Sequence, residues 1–378
     1  MGTERLFISG TPRSGTTLLD KLLSSPETSR VHSQPLPLLF SAIKQRFLQQ
    51  KGQTRDFPLN DMFLDNHYEQ APWQEFLAEH LISSDEFTLI HASMQGFSGQ
   101  YTRKEDVSGF LDRYPPLPLA SFIPAYLTWL EPGNWNLIGL KETWCEEYIP
   151  FLANNGFKCL LILRDPRDVI TSLNHGEGRT FGGRPKPLLY NIRTWRKSVA
   201  VCLHMSAHPN FMSIRYEDLV TQPEDTMCRI SAFLSLGDTI QAAATGGITD
   251  QKGRPWQSNS SHASSAEISS GSIGKYREHL PAPAKALIEA LCQPELQVLD
   301  YPVNLPSDQA RSVIADGALT EHLERPELAS YLWSQQRSTE EVRRLELLYQ
   351  GIYKPGYFLF EKAFTQLRLA LLGPSTLA

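Results

Sequence analysis

No apolar run in this chain of 378 residues approaches the roughly 18–20 residues that a membrane-spanning helix needs, so a conventional transmembrane segment is excluded. Cysteine is scarce. Cys145, Cys159, Cys202, Cys228 and Cys292 lack metal-ligand spacing and mostly lie in apolar settings, which suits reduced core thiols rather than a disulfide framework or a metal site. Positive charge is not in excess either. A formal net charge of −5 argues against a broad basic surface for DNA, heparan-like polymers or acidic peptides, but is compatible with a local basic pocket. The first residues carry no signal-peptide pattern, since Glu4-Arg5 leads straight into an apolar run. Met1-Gly2 is not followed by Ser or Thr at position 6, so a myristoylation signal is lacking as well. The expectation is a cytoplasmic protein, or a domain of a longer chain, with no internal repeat and enough apolar content for a large core.

One further absence is informative. Leu6-Phe7-Ile8 reads as a buried strand and runs into Gly10-Thr-Pro-Arg13-Ser14-Gly15-Thr16-Thr17. A strand ending in a glycine-bearing loop that opens a helix is a phosphate-binding device: backbone N–H groups and the helix N-terminus favour an anion. The Gly10-x-x-x-x-Gly15 spacing matches the nucleotide P-loop, but Thr16 stands where that motif has lysine. ATPases and GTPases use that lysine on the β- and γ-phosphates. Here the cation is Arg13, inside the loop, which suits a different phosphorylated donor.

A second motif lies far along the chain. Cys159–Leu163 is a short apolar run of the kind buried in parallel sheets, and Arg164-Asp165-Pro166-Arg167-Asp168 follows it. Pro166 fits the first turn of a helix, and Asp165 and Asp168 suit its N-terminal end. Arg164 therefore stands at the carboxyl end of a strand, where open α/β sheets bind ligands, and Ser172 falls two helical turns beyond. An arginine fork matches a terminal phosphate bidentately, and a serine hydroxyl adds a donor.

These two motifs resemble those of sulfotransferases that use 3′-phosphoadenosine 5′-phosphosulfate (PAPS). The Pro-Arg-Ser-Gly-Thr-Thr-Leu-Leu form is nearest the bacterial and tyrosylprotein-type members. The resemblance implies a 5′-phosphosulfate loop of Arg13, Ser14, Gly15, Thr16 and Thr17, and a 3′-phosphate site of Arg164 and Ser172. Arg215-Tyr216-Glu217-Asp218-Leu219 resembles the family's segment whose tyrosine lies against adenine, which points to Tyr216. A polar segment from Lys252 to Arg277 is similar to one that closes over the nucleotide; Lys275, and Arg254 after it, are its candidate cations. PAPS is then the co-substrate, PAP (3′-phosphoadenosine 5′-phosphate) the product, and no metal is required.

The catalytic base is less plainly written. Cytosolic members have Lys-x-His on the strand before the 3′-phosphate motif, whereas this chain has Lys141-Glu142-Thr143. Lys141 is retained and could stabilise the bridging oxygen or the sulfuryl group. Other members place a carboxylate after the second strand; here Arg30-Val31-His32-Ser33-Gln34 offers His32 instead. An imidazole is suited to base chemistry near neutral pH, so His32 is the first candidate, Glu142 the second and His91 the third.

The implied fold is α/β, a P-loop-NTPase-like central parallel sheet flanked by helices. Residues 1–305 form the expected sulfotransferase domain, with 51–135 as a variable acceptor-binding region rich in aromatics. Residues 306–378, beyond the last motif, read as a helical C-terminal extension, mostly helical from Ala318 to Leu372. Such a segment could pack on the core, lid the acceptor site or contact a partner. The expected reaction moves a sulfuryl group to a hydroxyl, or an amine, of a small-molecule or biosynthetic-intermediate acceptor. The alternatives are a protein-tyrosine or glycan sulfotransferase, a kinase-like enzyme, and a non-catalytic PAP-binding protein.

Overall fold

The computed structural model describes residues 3–24, 27–51, 69–95, 107–175, 185–237, 268–321 and 323–373. Its centre is a five-stranded sheet of β1 (Glu4–Ser9), β2 (Ser29–Ser33), β5 (Leu137–Lys141), β6 (Lys158–Leu163) and β7 (Phe211–Arg215). The spatial order is β2-β5-β1-β6-β7 and every pairing is parallel. Two-residue strands β3 (Leu81–Ile82) and β4 (Leu117–Pro118) form a separate antiparallel pair.

Side-chain alternation along the strands divides the core. Leu6 and Ile8, with Leu160, Ile162 and Ile214, pack under α1 (Thr16–Ser24), α9 (Tyr216–Thr221) and α10 (Pro223–Phe233). Phe7, with Leu140, Leu161 and Leu163, faces the opposite layer, which includes α2 (Pro37–Gln50), α5 (Leu119–Leu130), α6 (Ile149–Asn154) and α8 (Leu188–Met205). A Cβ on Gly139 would lie 2.6 Å from the Leu6 carbonyl oxygen, so β5 and β1 depend on glycine there. Because β1 lies between β5 and β6, the chain crosses over it, and the crevice at its carboxyl end is the place where such sheets bind ligands.

Helix α7 (Pro166–Asn174) begins as its sequence dictates. Pro166 takes the first turn, and the Asp165 carboxylate accepts the Arg167 N–H at 2.9 Å. The aromatic residues expected near the acceptor region turn largely inward. Phe87 on α4 (Ser84–Gln95) packs against Phe110, Phe122 and Tyr126, while Trp73 on α3 (Gln70–Glu79) packs against Phe47 and Phe76. Tyr101 lies outside the described residues.

Beyond Pro306 the chain is helical, but less continuously than its leucine pattern implies. Helix α12 (Ser307–Ala315) starts directly after Pro306, and residues 318–321 and 323–333 are irregular apart from a 3-10 turn at Pro326–Tyr331. Gly317 and Pro326 explain the interruption, since neither favours a helix interior. Ser334 restarts the helix by accepting the Arg337 N–H at 3.3 Å, giving α13 (Gln335–Gln350) and then α14 (Glu361–Leu372). Leu345, Leu348, Phe364 and Leu367 enter the same apolar core as β1 and β6. Buried ion pairs add to this. Glu341 of α13 pairs with Arg193 at 2.8 Å and Arg196 at 2.7 Å on α8, and Arg344 pairs with Glu295 on α11 (Ala282–Val298). All five cysteines are free thiols; Cys228 alone is exposed, on α10. Among the described residues, no helix is long and apolar enough to cross a membrane.

Candidate active site

Backbone strain marks the carboxyl edge of the sheet. Arg13 (φ 71°), Gln34 (φ 50°) and Trp144 (φ 60°) all occupy the left-handed region just past β1, β2 and β5. Non-glycine residues rarely adopt it, and such residues persist where surrounding structure holds them. The restraints are visible. Gln34 N–H donates to the Lys141 carbonyl at 2.8 Å, and Trp144 N–H to the Gly10 carbonyl at 3.3 Å. The Trp144 carbonyl accepts from Lys44 Nζ at 2.6 Å.

The loop after β1 closes on itself. Ser14 donates to the Thr11 carbonyl through its N–H at 3.1 Å and its hydroxyl at 2.6 Å. Gly15 has φ 98°, and a Cβ there would collide with the Tyr216 ring, so loop backbone and ring are in close approach. Thr16 and Thr17 open α1, whose first N–H groups have no intrahelical acceptor.

The second phosphate motif meets the first. Arg13 Nε donates to Ser172 Oγ at 2.9 Å, across 159 positions. Arg164 Nη1 donates to the Arg13 carbonyl at 3.0 Å, across 151 positions. The other Arg164 terminal nitrogen reaches the Ser272 carbonyl at 2.6 Å, and its guanidinium carbon lies 4.5 Å from the centre of the Tyr216 ring. Tyr216 and Ser272 join their hydroxyls at 2.6 Å. Arg13, Ser14, Gly15, Thr16, Thr17, Arg164, Ser172 and Tyr216 therefore form one cluster.

Several members of the cluster escaped the sequence reading. Ser272 is one; it stood in a quoted loop without a role. Asp168 is another. It accepts the Gly274 N–H at 2.7 Å and the Tyr276 N–H at 3.0 Å, docking the 272–276 segment onto α7. Trp195 donates its indole N–H to the Arg164 carbonyl at 2.9 Å. Only helix-start acidity signalled Asp168, and nothing local signalled Trp195. Lys275 is half-buried beside this docked segment, next to the short helix Tyr276–His279. Arg254 lies outside the described residues.

The candidate bases separate spatially. Lys141 points to the α1 layer, where Asp20 lies 3.6 Å from its ammonium; Lys21 is 3.4 Å from the same carboxylate. Burial lowers the Lys141 pKa, and the Asp20 and Glu142 charges oppose that shift. Glu142, one residue on, turns the other way and accepts the Leu36 N–H at 2.7 Å, at the N-terminus of α2. Burial pushes its carboxyl up to about 8, against the Leu36 hydrogen bond and the Lys141 charge. His32 is buried on β2 in register with Leu140 of β5, close to the same edge. His91 sits elsewhere, on α4, with its ring 5.9 Å from Phe87 in the aromatic core.

The model of the sulfotransferase family matches residues 5–239, and the chain belongs to that family. No curated protein matches the sequence. Among solved structures, the chain is similar to the sulfotransferase domain from the curacin biosynthetic pathway, at 18% identity and TM-score 0.42. That match covers 80% of this chain and 99% of that one. The sulfotransferase domain of the Synechococcus PCC 7002 olefin synthase matches at 19% identity and TM-score 0.39, over 75% of this chain and 90% of that one. Retinol dehydratase in complex with retinol and PAP matches at 16% identity and TM-score 0.37, over 81% of this chain and 84% of that one.

Proposed function

We propose that the protein transfers a sulfuryl group from PAPS to a hydroxyl of a small-molecule or biosynthetic-intermediate acceptor, releasing the sulfated acceptor and PAP. The observation that carries this reading is the junction of the two phosphate motifs through Arg13, Ser172 and Arg164. Two phosphate sites side by side suit a nucleotide phosphorylated at both its 5′ and 3′ positions. The residues present fit such a donor. Gly15 lets loop backbone approach closely, and Arg164 Nε is buried with no hydrogen-bond partner among the described residues, so this guanidinium can still bond a further acceptor.

In this reading the loop N–H groups, Arg13, Thr16 and Thr17 hold the 5′-phosphosulfate. Arg164 and Ser172 hold the 3′-phosphate, Tyr216 lies against the adenine side, and Lys275 adds positive charge. Residues 51–135 contribute to holding the acceptor. The acceptor oxygen forms a bond to sulfur as the bond from sulfur to the phosphate oxygen breaks. Negative charge grows on that departing oxygen, where fixed donors are most effective. Lys141, on the α1 side, and Arg13 supply positive charge there. The acceptor's proton passes to a base at the facing edge of β2 and β5, either His32 or Glu142.

A specific observation favours Glu142. Its carboxyl is anchored through one oxygen and raised to about 8, close to working pH, where a general base is effective. A base acts when deprotonated, so kcat/KM rises with pH and levels off above about 8. Glu142→Gln is expected to lower kcat by roughly 10²–10⁴ and remove that limb, while PAP affinity holds. His32→Ala keeps the limb. Loss of the limb in His32→Ala, with Glu142→Gln active, assigns the base to His32 instead. The proposed function itself is tested by product analysis: label from PAPS must appear on a hydroxyl acceptor with PAP released. Transfer of phosphate from ATP instead would revive the kinase reading, against which the missing lysine after Gly15 already argues.

A further inference from the structure

Sulfuryl transfer as described gives Asp20 no role, yet it lies on the helix that the first phosphate motif opens. It stands one turn after Thr16 on α1, and both side chains are buried. Lys141 ends β5 with Ile8 of β1 on one side and Ser33 of β2 on the other, and Ile8 is two positions before Gly10. The Lys141 ammonium lies 3.6 Å from one Asp20 oxygen, and Lys21 lies 3.4 Å from the other. Asp20 is 0% exposed and Lys141 1%, so water cannot stand in for either partner. Among the described residues, Asp20 is the one carboxylate within ion-pair distance of Lys141.

The groups around Lys141 act in opposite directions. Burial pushes its pKa down most strongly and Lys21 adds to that, while Asp20, and after it Glu142, push it up. His32 on β2 stands beside Leu140 and so faces the other layer. Glu4 and Arg5 on β1 and Arg30 on β2 lie toward the far end of the sheet, beside Leu137 and Ile138. Glu142 is an unsteady partner. Its carboxyl titrates at about 8, so it is mostly uncharged at neutral pH, and as the base it gains a proton during transfer. At that moment negative charge grows on the departing oxygen and a cation is needed there. Asp20 has no proton to take up. A buried ammonium that loses its carboxylate gives up its proton rather than stay charged.

Resting on the sulfotransferase reading and its role for Lys141, we propose that Asp20 is the fixed counter-ion of Lys141. It is a positioning residue: it holds this ammonium charged and in place beside the phosphate loop while the base changes its own charge. Asp20 acts through Lys141 and touches neither donor nor acceptor.

The test uses the PAP-loaded full chain with lysine labelled at the carbon beside its ammonium. Nuclear magnetic resonance follows the Lys141 signal as pH rises, and loss of that signal in Lys141→Gln assigns it. Asp20→Asn should lower the proton affinity of Lys141 about tenfold or more, and Asp20→Glu, which keeps the charge, should restore most of it. The consequence is read with water as the sulfuryl acceptor and the enzyme in excess over labelled PAPS. Water oxygen bonds to sulfur, the bond from sulfur to the phosphate oxygen breaks, a water proton passes to the base, and sulfate and PAP are released. The Asp20→Asn rate should fall about tenfold or more below the unmodified rate at the alkaline end of the profile, and the gap should narrow as pH falls. A Lys141 titration that is the same in Asp20→Asn and the unmodified chain overturns the inference. So does a rate loss of one size at every pH, which is what loosened packing alone would give. If Asp20→Asn does not fold, the unmodified chain still decides: Lys141 must be charged at neutral pH with PAP bound, and a neutral amine there overturns the inference. Two other failures are separable. Sulfate release undiminished in Lys141→Gln contradicts the role given to Lys141, and failure of the unmodified chain to bind PAP, measured first, contradicts the donor reading; the inference falls with either.

Discussion

Arg164→Ala should weaken PAP binding by roughly 10²–10⁴, because a charge-assisted hydrogen bond contributes about 1.5–3 kcal/mol and a fork makes two. ADP shares the 5′ side of PAP but lacks the 3′-phosphate, so its affinity should fall less than about tenfold. The separation matters because Arg164 has a second task. It braces the Arg13 carbonyl at 3.0 Å and the Ser272 carbonyl at 2.6 Å, so removing it also loosens the loop. Loosening alone would reduce both affinities together. Arg164→Lys should fall between, since an ammonium keeps the charge but cannot supply two parallel N–H groups. Paired calorimetric titrations of the three proteins decide the matter. Equal losses for PAP and ADP would show that Arg164 is a brace and not the 3′-phosphate residue.

Glu341→Gln should cost about 3–5 kcal/mol of stability, a large share of the roughly 5–15 kcal/mol that holds an ordinary fold together. Glu341 lies buried between Arg193 and Arg196, at 2.8 and 2.7 Å. Removing its charge takes the shared carboxylate from two buried guanidinium ions, and the pairing of Arg193 with Glu340 at 3.3 Å offsets that loss only in part. Urea unfolding followed by circular dichroism measures the loss. A change below about 1 kcal/mol would place the pair among weak surface-like interactions and contradict its burial. The pH dependence has a fixed sign. Burial raises the Glu341 pKa, but Arg196 and Arg193 outweigh it and bring it down to about 2. The carboxylate's contribution is therefore complete above the ordinary glutamate range and is lost as pH falls from there through about 2. Glu341→Gln should lack that part of the acid sensitivity.

What the sequence reveals most clearly is what local chemistry writes. Leu6-Phe7-Ile8 and Cys159–Leu163 are strands because buried parallel strands are continuous apolar runs. Helix α7 starts at Pro166 because Asp165 caps it. Arg13, Arg164 and Ser172 come together as the spacing of the two motifs suggests, because each motif follows a strand of the parallel sheet and opens a helix. The remainder depends on contacts distant in sequence. Lys141 and Glu142 are neighbours in the chain, and strand alternation sends one to Asp20 on α1 and the other to the N-terminus of α2. No local pattern announces that Asp168 will hold Gly274 and Tyr276, 106 and 108 positions away. The stretch after Ala318 is mostly helical, as its leucines imply, but periodicity carries no warning that regular helix begins only after Pro326, at Gln335.

The paired phosphate motifs should bind a nucleotide phosphorylated at both ends. This is tested most directly by calorimetric titration of the purified chain with PAP, ADP and ATP in parallel. PAP binding should be saturable and at least about tenfold tighter than binding of either ADP or ATP, a margin of ~1.4 kcal/mol due to the 3′-phosphate. Clear ATP binding with none for PAP would contradict it.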